Sequence, residues 1–209
     1  MPKIGLSKPY VAIYSNNGAT VAYRNVGVIG RYTELQINID DSEDYDFYSD
    51  NAVSETDNQF PGGTAAITTD DLSPDAMVKT LGMVRENITG VSGVTTEGAA
   101  WIINNDNQQL PFLGLGGIVK KKLNGVIGYV AVLLDKVRFR NMSNSFTTQG
   151  RTIEWQTSSL TADIYRSDKA THDWRRYSTV FPTEAEAEAA LVAYFGGTSS
   201  GAGGEEDGE

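Results

Sequence analysis

FLGLGGIVKKKLNGVIGYVAVLLDKVRF, from Phe112 to Phe139, decides the fold class. Leu123-Asn124-Gly125 is a turn signal, and an Asn-Gly pair between β-rich runs is a strong short-range sign of a hairpin. The segment before it, Phe112 to Lys121, reads as one strand. The segment after it, Val126 to Phe139, reads as a long strand with a continuous apolar middle, YVAVLL. Glycines at 114, 116 and 117 followed by three lysines superficially suggest a phosphate-binding loop. That motif needs Gly-Lys-Ser/Thr at the start of a helix, whereas here a β-rich run continues. The glycines therefore predict a bulge or a close backbone approach.

Outward from this hairpin the chain keeps reading as strand. Tyr10 to Ser15 and Ala19 to Arg24 flank the turn Asn16-Asn17-Gly18. Thr33 to Ile39 alternates, with Leu35, Ile37 and Ile39 on one face and Glu34, Gln36 and Asn38 on the other, the period of a half-buried strand. Gly63–Thr69, Ala99–Ile103, Arg151–Arg166 and Trp174–Phe181 complete the set. Two segments read as helix. Ser73 is an N-cap followed by Pro74 and Asp75, with Met77, Val78 and Leu81 on one face and Gly82 as the stop, giving a helix at about 73–83. Thr183 and Glu186 form a capping-box pattern ahead of an Ala-rich run to Phe195, with Gly196 as the stop, giving a helix at about 184–195. Residues 1–195 are therefore expected to form one β domain, and 196–209 a flexible, acidic, Gly-rich tail. Asp40 to Pro61 fits no regular element. It is acidic and carries Tyr45, Phe47, Tyr48 and Phe60, so it predicts either an arm that packs on a neighbour or a locally folded hairpin.

The chemistry is sparse. There is no cysteine and a single histidine, His172, which excludes Cys-His catalysis and multi-histidine metal sites. A Ser-His-Asp relay would have to use His172, and no nucleophile motif accompanies it. The run Asp40–Asp46 departs from a calcium loop, with Tyr45 where glycine is needed and Asn51 where glutamate is needed. No catalytic residue, cofactor or metal is expected, and the chain is read as a non-enzyme. A net charge of −10 argues against binding nucleic acid through its phosphates and against an anionic membrane surface. Met1–Gly5 lacks an apolar signal core and no run is long enough to span a membrane, so a soluble protein made in the cytoplasm is expected.

Charge is sorted along the chain. Between Arg31 and Lys79 there are twelve carboxylates and no intervening lysine or arginine; between Gln108 and Ile153 there are seven basic residues and one acid, Asp135. Either folding interleaves the two blocks, or the molecule has one acidic and one basic surface. The second arrangement suits head-to-tail contacts, which generate rings or filaments.

Four blocks, in order, then resemble a family. They are Pro2–Pro9; Ser49–Glu55 with Phe60, Gly62-Gly63 and Asp71–Ser73; Lys120–Lys122 through Asn124-Gly125 and Tyr129 to Lys136–Phe139; and Gly150–Thr157 with Leu160-Thr161. Together they resemble the major tail proteins, or tail tube proteins, of long-tailed, non-contractile bacteriophages, over roughly residues 1–195. The resemblance implies a β-sandwich or barrel of the tail-tube type with a flanking helix. Its copies form rings, usually hexameric, that stack into the virion tail tube through which DNA passes at infection. It implies that Asp40–Gly62 reaches a neighbouring subunit. Expected partners are other copies of the chain, the tape measure, tail terminator and distal tail or baseplate proteins, and DNA in transit, with no membrane anchor. An appended immunoglobulin-like domain is not seen.

Under that reading Asp40, Asp41, Asp44, Tyr45, Phe47, Tyr48 and Phe60 are expected on the acidic, aromatic side of a subunit contact. Lys120, Lys121, Arg138 and Arg140 are expected on its basic side. The alternative is a carbohydrate- or cell-surface-binding β-sandwich of a virion, with Tyr45 or Trp174 stacking on sugar.

Overall fold

The computed structural model describes residues 1–18, 20–40, 45–49, 52–57, 60–89, 91–140, 142, 148 and 157–197, with only the backbone described within 45–57. The quoted hairpin is its centre: β9 (Leu113–Leu123) and β10 (Val126–Phe139) pair antiparallel. Asn124 and Gly125 both have positive φ, 49° and 84°, the backbone that a tight two-residue hairpin requires. Beside β9 lies β1 (Lys3–Asn16), and beside β1 lies β2 (Val21–Val28), joined by a turn in which Asn16 Oδ1 accepts from Gly18 N at 2.8 Å. On the far side of β10 follow β11 (Ser158–Tyr165), β6 (Gly63–Thr69) and β3 (Tyr32–Ile39). The order is β2-β1-β9-β10-β11-β6-β3, with the short β12 (Arg175–Tyr177) also on β10.

This sheet doubles back on itself. Tyr32, on the terminal strand β3, donates from its hydroxyl to the Gly116 carbonyl of β9 at 3.1 Å. Between the two halves sits the main core, including Val11, Leu115, Leu134, Val137 and Phe139 from one side and Ala65, Ile67, Leu160 and Ile164 from the other. The expected barrel is corrected: β2 and β3 end the strand order without pairing to each other, so among the described residues the sheet is open. The free edges follow from the order itself, because only closure of the ring of strands removes them.

Helix α1 (Pro74–Leu81) covers one end of this core with Ala76 and Leu81. Its ends match expectation: Ser73 Oγ accepts from Ala76 N at 3.2 Å, and Gly82 takes the left-handed conformation at φ 65°. Helix α2 (Glu184–Tyr194) lies on the outer face of β1, β9 and β10, where Leu191 and Phe195 pack with Ala12, Ala131 and Leu133. The glycines of β9 make this possible. A Cβ at Gly116 would stand 2.7 Å from Leu191 Cδ1, and one at Gly117 would stand 2.8 Å from the Tyr32 ring. They permit close approach on both faces of the strand, as expected.

The register of β9 on β10 slips between Leu134 and Val137. Leu134 and Val137 therefore both face the main core, while Asp135 turns toward α2. One expectation is shortened: the strand at 174–181 is regular only over Arg175–Tyr177, with an isolated bridge from Tyr129 to Phe181; of the strand expected over Arg151–Arg166, residues 151–156 lie outside the described residues. Two small ribbons stand apart from the main sheet. One pairs β7 (Val84–Asn87) with β8 (Ala100–Ile103), and the other pairs β4 (Tyr45–Ser49) with β5 (Ala52–Asp57). The second ribbon lies where the sequence left a choice between an arm and a hairpin, and its backbone is a hairpin.

Candidate functional site: a lysine-rimmed cleft and its supports

The basic block divides into two kinds of cation. Toward the C-terminal end of β10 the cations are matched within the chain: Arg140 pairs with Asp163, and Lys136 Nζ lies 2.7 Å from Asp168. Arg138 lies over the rings of Phe112 and Tyr165, 5.4 Å from each centroid, and donates to the Tyr165 hydroxyl at 2.9 Å. Antiparallel pairing of β10 with β11 is what brings these acids alongside. At the other end of the hairpin, Lys120, Lys121 and Lys122 have no salt bridge among the described residues. Lys121 is moreover register-paired with Lys3 on β1. Like charges opposed across a ladder are destabilising unless something anionic lies near.

Lys3 and Lys121 line a cleft of about 560 Å³ between β1 and β9 on one side and β3 on the other, with Arg175 of β12 at its border. Its floor is hydrocarbon, including Leu6, Leu35 and Val119, all half-buried where a closed core would bury them fully. Glu34 is its single acid. Around the nearby hairpin tip the apolar surface continues: Leu123, Val126, Ile127 and Val180 are exposed, Val126 by 66%. Gly128 lies against Val180 and close to Met1, which joins these residues into one end of the molecule.

The remaining expected contact residues are dispersed. Asp40 is exposed at the end of β3, where its backbone N–H donates to Gly62 O at 3.2 Å. Phe60 is stacked on Trp174, with centroids 4.5 Å apart and planes at 17°. The guanidinium of Arg175 also lies over the Trp174 ring, 4.5 Å from its centroid. Tyr45, Phe47 and Tyr48 lie on β4; Asp41 and Asp44 lie outside the described residues.

Behind this surface α2 is anchored by a buried charge. Asp135 is fully buried, and a buried carboxylate is tolerated only with partners. Arg176 Nε stands 3.2 Å from both of its oxygens, the Tyr194 hydroxyl donates to Oδ1, and Lys169 Nζ lies at 3.7 Å. The Tyr23 hydroxyl donates to the Asp135 carbonyl at 2.9 Å; burial first, then the Asp135 charge, push that phenol far above its ordinary pKa. Burial opposes the charge on Arg176, but the hydrogen bond and charge of Asp135 outweigh it and raise its pKa. A lone acid ending a run of buried strand residues was the available signal for this cluster, and the sequence reading used it only as a charge count.

His172 does not assemble a relay among the described residues. Its Nδ1 faces the Ser167 carbonyl at 3.3 Å, while the Asp173 carboxylate is engaged by Arg176 and Thr171. No group of acids and histidine among the described residues is placed to hold a metal, and no described helix is long and apolar enough to cross a membrane.

Two carboxylates give a pH signature. The hydrogen bond from Lys136, aided by Tyr14, holds Asp168 below the usual carboxylate range. Burial would raise Glu188, but hydrogen bonds from Lys8 and Tyr10 outweigh it and lower its pKa. Groups with depressed folded pKa values stabilise above their unfolded values, near 4, and lose that contribution as pH falls through the folded values. Melting temperature should therefore drop below about pH 4, and Lys136→Met should flatten that decline. An identical acid limb in the variant would take Asp168 out of the account.

No protein-family model matches the chain, and no curated protein matches its sequence.

Proposed function

We propose that this chain is a structural, self-assembling subunit of a phage tail tube, stacked as rings, hexameric by family resemblance, that conduct DNA into the host. The observation that carries the reading is the unpartnered end of the β9–β10 hairpin. Exposed Leu123, Val126 and Ile127 lie beside lysines that form no ion pair among the described residues, on a chain whose net charge is −10. An apolar, cationic end on an acidic molecule is complementary to another part of the same molecule, and such heterologous contacts propagate. The edges at β2 and β3, unpaired among the described residues, add backbone that neighbours in a ring would cover. An acidic tube also repels phosphates and lets DNA slide. In this reading the chain is made in the bacterial cytoplasm, resides in the virion tail and meets the tape measure, terminator and distal tail proteins there.

The carbohydrate-binding alternative loses one platform, because Phe60 covers a face of Trp174. Negative-stain microscopy of concentrated protein is expected to show rings or tubes. Val126→Asp should abolish them while shifting monomer stability by no more than about 0.5 kcal/mol, as an exposed substitution does. Monomers that persist for the unmodified chain, even with tail-initiation partners present, would overturn the proposal. Reversal of Arg140 is a poorer probe, since it also places a carboxylate against Asp163.

A further inference from the structure

Among the described residues the large exposed apolar side chains, Val28 apart, fall into two groups. One is the hairpin end, from Leu123, Val126 and Ile127 to Ile4 and Tyr177 in the lysine-rimmed cleft. The other is the β7–β8 ribbon and its connecting loop, with Val84, Val91, Val94 and Trp101, the last exposed by 66%. Apolar surface gathered in this way marks contact sites, whereas single exposed residues do not.

The two groups differ in charge. The cleft carries Lys3, Lys121 and Arg175 against the single acid Glu34. On the ribbon the one base, Arg85, is taken by Asp75 at 2.8 Å and by the Gly98 carbonyl at 2.9 Å. Glu86 and Glu97 form no ion pair among the described residues. Register sets Glu86 opposite Trp101 and Val84 opposite Ile103, and opposed residues share a face of a ribbon. That face is turned away from the body of the molecule, because the alternate residue Ile102 packs on the main core. An indole and a carboxylate therefore stand together on it. They match the cleft, whose floor of Leu6, Leu35 and Val119 is half-buried hydrocarbon and whose rim is cationic.

They differ in place as well. Gly82 lies against Gln109, and Met142 shares a cavity with Ile102, so the ribbon sits where β9 begins and β10 ends. Lys121 is near the other end of β9, an eleven-residue strand, which puts the two groups about 30 Å apart at the usual rise per strand residue. A single folded molecule does not bring them together. We propose that the Trp101–Glu86 face of the β7–β8 ribbon of one copy seats in the Lys3–Lys121–Arg175 cleft of a second copy. The inference rests on the self-assembly reading and deepens it by naming both halves of one contact. The indole covers the half-buried floor, and Glu86 relieves the opposition of Lys3 and Lys121. Patches at opposite ends of the sheet give a head-to-tail contact, which repeats without closing on a pair.

Two variants of the full chain, each damaged on one half, test this. One carries Trp101→Ala, the other Lys3→Glu with Lys121→Glu, and cooperative melting in far-UV circular dichroism confirms that each is folded. In sedimentation velocity each alone should self-associate at least roughly tenfold more weakly than the unmodified chain, as loss of a central anchor does. Mixed, they should regain the unmodified affinity as one-to-one pairs, because each brings the half that the other lacks. Should either fail to fold, Glu86→Lys replaces the first and Lys121→Gln the second, with weakening alone and recovery on mixing again expected. Single variants that associate at the unmodified strength would overturn the inference and leave the cleft to another occupant. Weakened variants that gain nothing on mixing would overturn it too. Tubes formed by either variant would sink this contact while leaving the tube reading standing. Mixed pairs from a chain that never forms rings or tubes would uphold the contact and remove the tube reading.

Discussion

Asp135→Ala should lower stability by about 3–5 kcal/mol, the loss typical when one partner of a buried charge cluster is removed. The mechanism is the charge left behind. Arg176 and Tyr194 turn toward the Asp135 carboxylate from separate elements, with Lys169 alongside and Tyr23 on the Asp135 backbone carbonyl. Without it, a partly buried guanidinium and the Tyr194 phenol lose their acceptor in a space closed by α2, while Tyr23 keeps the backbone carbonyl. Chemical denaturation followed by tryptophan fluorescence would measure the loss. The double variant Asp135→Leu with Arg176→Met removes both charges and should recover most of it, since apolar replacement of a whole buried pair is often near neutral. A double variant no better than Asp135→Ala would show that the carboxylate has a role besides satisfying its neighbours.

Phe139→Ala should cost a similar amount, about 3–5 kcal/mol, for a different reason. Phe139 is fully buried and register-paired with Ala162 of β11, at the point where β10 has joined the second half of the sheet. Truncation removes hydrocarbon contacts and leaves a cavity among neighbours that cannot all collapse inward. Because no charge is involved, the loss should be nearly independent of salt and of pH between about 5 and 8. Denaturant midpoints at two ionic strengths would check this. A strong salt dependence would mean that the variant disturbs the nearby Arg140–Asp163 pair rather than the core alone.

How much of this was legible beforehand varies by element. The β9–β10 hairpin, β3, β6 and both helices were readable because each carries its own local signal: Asn124-Gly125, the alternation through Leu35, Ile37 and Ile39, and the caps Ser73 and Thr183. The early part of β1, from Lys3 to Pro9, was not read as strand, because its glycine, lysine and proline residues have low β preference. It is strand because β9 pairs with it. β7 was missed for the same reason, since Val84–Asn87 gains its form only from β8. At the candidate site, charge sorting grouped Lys120, Lys121, Arg138 and Arg140 together, and the fold divides them. Lys120 and Lys121 form no ion pair among the described residues, whereas Arg140 meets Asp163 through a register that no linear count of charges contains.

The slip at Leu134–Val137 has a further consequence for how this chain can vary. A strand assigns inside and outside by parity, and here the parity is reset once within a single continuous strand. The slip works as a frameshift written into the fold. Upstream of it Leu134 is inside; downstream Val137 and Phe139 are inside while Lys136 and Arg138 are not. Leu134 and Val137 are three apart on β10 while their partners Leu115 and Leu113 are two apart on β9, so deleting Lys136 would remove the slip and still leave Val137 and Phe139 inside. Related chains should therefore differ in length at the hairpin tip, where the frame is free, and between Leu134 and Val137 only by the one slip residue.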